Sequence, residues 1–195
     1  MIDLILASAS PRRRELLTQI GVRFDSRPVD LPEVALEGET PEQFVRRLAL
    51  DKARAGFERS GAELPALGSD TAVVLADHIL GKPADEADAL RMLMLLSGRR
   101  HQVLTGIAMV DHRHSESRVV ITDVEFRLLT EAECRRYWAS GEPRDKAGAY
   151  GIQGLGAVFV SRIEGSYSAV VGLPLAETAE LLAQFEVPIW QNLNS

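Results

Sequence analysis

Leu4-Ile5-Leu6-Ala7-Ser8-Ala9-Ser10-Pro11-Arg12-Arg13-Arg14 is an apolar run that breaks into small hydroxyl-bearing residues, a proline and three arginines. The run reads as a short buried strand. The break reads as a helix start, with Ser10 as the cap and Pro11 at the first helical position, where a missing N–H costs nothing. Leu16, Leu17 and Ile20 form an apolar stripe and Gly21 suits the position past the end, so the spacing predicts a helix over 11–20. A strand that feeds straight into a helix opens an α/β chain.

Working outward, Thr40-Pro41-Glu42-Gln43 is a capping box. Phe44, Val45, Leu48, Ala49 and Ala53 follow at helical spacing, on a helix that carries Lys52. Residues 66–75 predict a core strand interrupted at its middle by Gly68-Ser69-Asp70-Thr71. Asp77-His78 turns it into Ile79-Leu80. Asp85 and Glu86 lead a helix with Leu90, Leu93, Met94 and Leu96 inward. The period then changes to two: 101–110 and 117–128 predict antiparallel strands joined by a polar turn over 111–116. Thr130 and Glu133 form a second capping box, on a helix that Gly141 closes. Residues 142–156 hold four glycines and no apolar period, which predicts a long loop of the functional or mobile kind. Strands are expected over 157–163 and 167–171, then a helix from Pro174 through Phe185 and a frayed tail from Asn192. The pattern is that of one α/β domain over 1–195 with a mixed sheet, in two lobes.

Composition narrows the function classes. Lys and Arg number 22 against 28 Asp and Glu, a net charge of −6, the wrong sign for a protein that coats nucleic acid or anionic lipid. The single cysteine, Cys134, cannot close an internal disulfide. No apolar run approaches the ~20 residues of a membrane helix, and Met1-Ile2-Asp3-Leu4-Ile5-Leu6 lacks the basic flank of a signal peptide. The expected address is the cytoplasm.

Three arginines in a first helical turn oppose the helix dipole, where acidic residues would be stabilising. A helix start attracts phosphate, and guanidinium forks fit its oxygens two at a time. Read this way, an anion compensates the turn; alternatively the triplet only faces water. Asp70 interrupts an apolar strand, and a buried carboxylate costs several kcal/mol unless paired, hydrogen-bonded or metal-bound. It is either held by neighbouring backbone or reactive. With Glu33 and Lys82 it supplies what phosphoryl transfer needs, carboxylates for a divalent ion or water and cations for phosphates. Gly81-Lys82-Pro83 lacks the frame of a Walker loop. His78, His101, His112 and His114 have no metal-site spacing, and Cys134 reads as a buried helix residue.

As a set, Leu6-Ala7-Ser8-Ala9-Ser10-Pro11-Arg12-Arg13, Gly68-Ser69-Asp70-Thr71, Gly81-Lys82-Pro83, Leu96-Ser97-Gly98, Thr105-Gly106, the run from Glu142 to Gly154, and Glu164-Gly165-Ser166-Tyr167 with Val171-Gly172-Leu173-Pro174 resemble the Maf family of nucleoside triphosphate pyrophosphatases, in family order. The family has Ala more often than Ser before the aspartate, so Ser69 is a departure that leaves Asp70 in place. The resemblance implies a mixed twisted sheet with flanking helices and two lobes around a cleft, of the Maf/ITPase-like kind. It also implies hydrolysis between the α- and β-phosphates with a divalent metal cation, Mg²⁺ or Mn²⁺, and a homodimer acting on free nucleotide rather than nucleic acid or membrane. Asp70 corresponds to the catalytic acceptor, activating water or binding the metal, and Glu33 to a metal-side carboxylate. Ser8, Arg12, Arg13, Lys52 and Lys82 correspond to the phosphate-binding set, and Arg12, Thr71 and Gln153 to positions of base choice. The run Lys146-Ala147-Gly148-Ala149-Tyr150-Gly151-Ile152-Gln153-Gly154 is similar to the subgroup acting on dTTP and UTP. The rival reading from the same family is a non-catalytic nucleotide-binding regulator of septum formation; a phosphatase releasing single phosphates would use similar residues.

Overall fold

The computed structural model describes residues 1–191; the expected fraying from Asn192 lies outside them. The chain forms a mixed α/β fold whose sheet runs in the order β2 (Phe24–Ser26), β1 (Leu4–Leu6), β3 (Ala66–Leu75), β5 (Arg100–Val110), β6 (Ser115–Phe126) and β7 (Val160–Glu164), with β4 (His78–Leu80) beside β3. β1 pairs parallel with both β2 and β3. β4 runs antiparallel to β3, and β7 antiparallel to β6. The chain divides into two compact units, one of residues 1–70, 105–120 and 172–195 and one of 71–104 and 121–171. β3 passes from the first to the second between Asp70 and Thr71.

The first unit is built on α1 (Pro11–Gln19), α2 (Pro41–Arg59) and α6 (Leu175–Gln184). Ser10 caps α1, its hydroxyl accepting the Arg13 N–H, and the Thr40–Gln43 box closes the start of α2 in both directions. α2 buries Phe44, Val45, Leu48, Ala49 and Ala53 as its spacing predicts. It lies almost on the sheet backbone: a Cβ on Gly68 would stand 2.2 Å from the Ala49 carbonyl oxygen, and one on Gly106 2.3 Å from that of Val45. Glycine at both places is a condition of this close packing. β2 carries no sequence signal, since its three residues are all half-buried and too few to show a period.

In the second unit α3 (Glu86–Leu96), α4 (Glu131–Ala139) and α5 (Tyr167–Val171) join β4 and β7. The core gathers Val73, Leu93, Leu96, Val124, Phe126, Tyr137, Tyr150 and Phe159. Its rings meet edge to face: Phe126 and Tyr150 at 4.7 Å, Tyr137 and Phe159 at 5.0 Å, the arrangement that ring quadrupoles favour.

Several expectations are corrected. Residues 167–171 are helix, not strand, because the Ser166 hydroxyl accepts the Ala169 N–H while Thr122 Oγ1 accepts that of Ser166. The strand expected over 157–163 starts at Val160; residues 155–159 coil into a 3-10 turn whose first N–H groups are taken by Glu142. β6 ends at Phe126 rather than 128, and its preceding turn is shortened because Asp111 accepts the N–H groups of Arg113 and His114. Met94 is 42% exposed, and Met92 takes the inward place. The loop over 142–156 is not featureless, since it holds further 3-10 turns at Glu142–Asp145 and Ala147–Ala149. Cys134 is buried and free, and burial raises its thiol pKa, as suits a core residue.

Candidate active site

Within the first unit, β1 ends in a turn that folds back on itself. Ser8 Oγ accepts the Ser10 N–H and an Nη1–H of Arg13, each at 3.2 Å, while the Ser26 hydroxyl donates to the Ser8 carbonyl at 2.9 Å. Arg13 Nε donates to the Gly172 carbonyl at 2.8 Å, and that oxygen also accepts the Ser69 hydroxyl at 3.0 Å. Ser8 is buried and Arg12 and Arg13 half-buried, so these two arginines do not merely face water, whereas Arg14 is exposed.

Behind this turn lies a buried charge cluster. Because α2 lies on β3 at Gly68, Lys52 comes alongside Asp70, one residue pair further along the strand. Lys52 Nζ donates to Asp70 Oδ1 and to Glu33 Oε1, both at 2.6 Å. Lys52 and Asp70 are each 6% exposed; Glu33 reaches in from the loop before α2 and stays more open. Burial raises the Asp70 pKa above the ordinary carboxylate value, against the pull of Lys52 and Arg13 and with a push from Glu33. Asp70 is thus paired, neither resting on backbone donors alone nor isolated. Among the described residues no group of three or more His, Cys, Asp and Glu side chains gathers as a metal site. The two carboxylates that converge on one ammonium do fit magnesium chemistry, which takes one or two carboxylates and completes its shell with water and phosphate oxygens.

Thr71, Lys82 and Gln153 fall in the second unit. Thr71 follows Asp70 in β3 and is half-buried; Lys82 and Gln153 are exposed. The Gly81 carbonyl beside Lys82 accepts the Gly148 N–H at 3.0 Å, which ties that segment to the glycine-rich loop bearing Gln153. A residue outside the predicted set orders this loop. Glu142 accepts the Tyr137 hydroxyl at 2.7 Å and the N–H groups of Leu155 and Gly156 at 2.8 and 3.1 Å. A Cβ on Gly154 would stand 2.2 Å from its carboxylate. Lys146 Nζ donates to the Glu142 carbonyl at 2.6 Å. The signal was a lone Glu opening a glycine-rich stretch, which spacing does not distinguish from a solvated one. The four histidines gather no site: His101 is buried against Phe126 and Tyr150, and exposed His114 stacks on Phe185 at 4.3 Å.

A helix start with a guanidinium folded over it, followed by two carboxylates on a buried ammonium, is an arrangement in an α/β protein that suits phosphate chemistry. The Maf-like protein family matches residues 3–185, and the chain belongs to that family. It is 56% identical over 194 residues to a dTTP/UTP pyrophosphatase of Saccharophagus degradans, covering 98% of this chain and 92% of that one. It is 54% identical over 185 residues to a dTTP/UTP pyrophosphatase of Escherichia coli O157:H7, covering 95% and 94%. A Photobacterium profundum protein of the same description is 52% identical over 190 residues, 94% and 97% of the two chains.

Proposed function

We propose that this protein hydrolyses dTTP and UTP to the nucleoside monophosphate and pyrophosphate. The observation that carries the reading is the 52–56% identity, over nearly the whole chain, to relatives described as dTTP/UTP pyrophosphatases. The geometry supports it by offering a base and cations together.

Water attacks the α-phosphorus, the bond from that phosphorus to the α,β-bridging oxygen breaks, and pyrophosphate leaves with the bonding electrons. Asp70 takes the proton of the attacking water, a role that its raised pKa suits by moving it toward the working pH. Lys52 holds the carboxylate Oδ1 in place at 2.6 Å, leaving the carboxylate's other oxygen for water. Ser8, Arg12, Arg13 and Lys82 bind the phosphates, and Arg13 is pre-oriented by Ser8 and Gly172. Glu33 and Asp70 would hold a divalent cation, Mg²⁺ or Mn²⁺, which supplies charge neutralisation on the phosphates when bound. Arg12, Thr71 and Gln153 choose the base; the Gln153 amide has both the donor and the acceptor that a pyrimidine O4 and N3 edge requires.

The reading includes a homodimer working on free nucleotides in the cytoplasm. The net charge of −6 is the wrong sign for a coat of nucleic acid or anionic lipid and agrees with action on free nucleotides; no helix among the described residues is long and apolar enough to cross a membrane. The test is incubation with a panel of triphosphates plus Mg²⁺ or Mn²⁺ and separation of products by ion exchange. UMP and dTMP with pyrophosphate are expected; diphosphates, or binding without product, would overturn the proposal.

A further inference from the structure

Ser69 carries a hydroxyl that strand β3 does not need. It is fully buried inside the strand, next to Asp70, and its Oγ donates at 3.0 Å to the carbonyl of Gly172, 103 residues away in sequence. Gly172 has φ +131°, open to glycine and strained for other residues, so its own backbone preferences leave that carbonyl loosely directed. The same oxygen accepts Arg13 Nε at 2.8 Å, and Arg13 Nη1 donates to Ser8 Oγ at 3.2 Å. A carbonyl oxygen has two lone pairs, and here both are used.

We infer that Ser69 is a positioning residue: by fixing the Gly172 carbonyl it fixes the plane of the Arg13 guanidinium for the phosphates of the substrate. The inference rests on the phosphate-binding role given to Arg13 above. A guanidinium recognises phosphate by a planar fork, so its orientation matters as much as its charge. With alanine at 69 the carbonyl keeps Arg13 as a partner and loses the bond that aims it. The charge of the cradle is unchanged and its geometry is not.

The experiment is calorimetric titration of inorganic tripolyphosphate with Mg²⁺ into the wild type, Ser69→Ala, Ser69→Cys, Arg13→Lys and the Arg13→Lys, Ser69→Ala double variant, each with a thermal melt. Cysteine nearly preserves volume and donates weakly, so it tests the bond if alanine disturbs folding. Both Ser69 variants are expected to bind tripolyphosphate about three- to tenfold more weakly, the worth of one oriented hydrogen bond. Their KM for UTP should rise by more than kcat falls. In the Arg13→Lys background, which lacks the Nε–H, the Ser69 change should cost less than twofold further. Wild-type affinity in both Ser69 variants, or the same fold-loss in both backgrounds, overturns the inference. Tripolyphosphate carries no base and is read without turnover, so binding with unaltered Ser69 variants sinks this inference alone. A wild type that neither binds tripolyphosphate nor hydrolyses UTP sinks the proposed function and this inference with it.

Discussion

Asp70 and Glu142 are both part-enclosed carboxylates, each beside a lysine, and the protein treats them in opposite ways. Glu142 is surrounded by neutral donors from its own unit: the Tyr137 phenol and two backbone N–H groups. Burial pushes its pKa up, but these donors, with Lys146 nearby, bring it below the usual value. Asp70 is more deeply buried, takes its hydrogen bond from an ammonium that it shares with Glu33, and ends with a raised pKa. Fixed dipoles that solvate an anion completely make a structural carboxylate, whereas burial with an incomplete and shared counter-charge makes one ready to accept a proton.

The strongest way to break this comparison is Asp70→Asn. Turnover of UTP should fall by about 10²–10⁴-fold, the range of a lost general base, while calorimetry still detects nucleotide binding; retained activity would remove Asp70 from the reaction. In the wild-type protein the acid limb of kcat/KM should lie above the ordinary aspartate value of 3.8, because activity is lost as pH falls through the raised Asp70 pKa.

A buried titratable group in the second unit sharpens the contrast through stability. His101 donates to or accepts from the Tyr150 hydroxyl at 2.8 Å, and burial lowers its pKa from 6.5 to about 4. The unfolded chain therefore binds a proton that the folded one refuses between those values. Stability should be fully present above about pH 6.5 and decline as pH falls toward 4, by about 3 kcal/mol. Urea melts at several pH values would show it, and His101→Gln should flatten that part of the profile. Glu142→Ala should lower stability by about 2 kcal/mol, since it strands two N–H groups and a phenol. Asp70→Asn should cost less; equal losses in urea melts would erase the distinction between the two carboxylates. The smallest effect is expected at Gln153→Ala, with kcat/KM for UTP reduced about tenfold more than for a purine triphosphate. Equal reductions would mean that Gln153 does not read the base.

What could be seen in the sequence follows from how local each signal is. Ser10, Thr40 and Thr130 announce their helices because a cap is decided within three residues, and β3 runs from Ala66 to Leu75 as its apolar content implies. Residues 167–171 mislead because valines favour strands, and only the distant Thr122 hydroxyl fixes Ser166 as a helix start. The same boundary divides the site. Ser8, Arg13 and Asp70 stand out by residue type and place. That one ammonium joins Glu33 to Asp70, or that Glu142 organises the loop of Gln153, depends on partners 13 to 19 residues away, and no short motif records them.

Gly68 makes an empty space into a control on charge. A methyl group there would meet the Ala49 carbonyl oxygen and the Ala53 amide and act as a wedge between helix and sheet. Every ionisable residue would remain, yet Lys52 would be levered off Asp70. The pairing of this carboxylate, and with it the balance of charge around it, is therefore set by a position that carries no side chain.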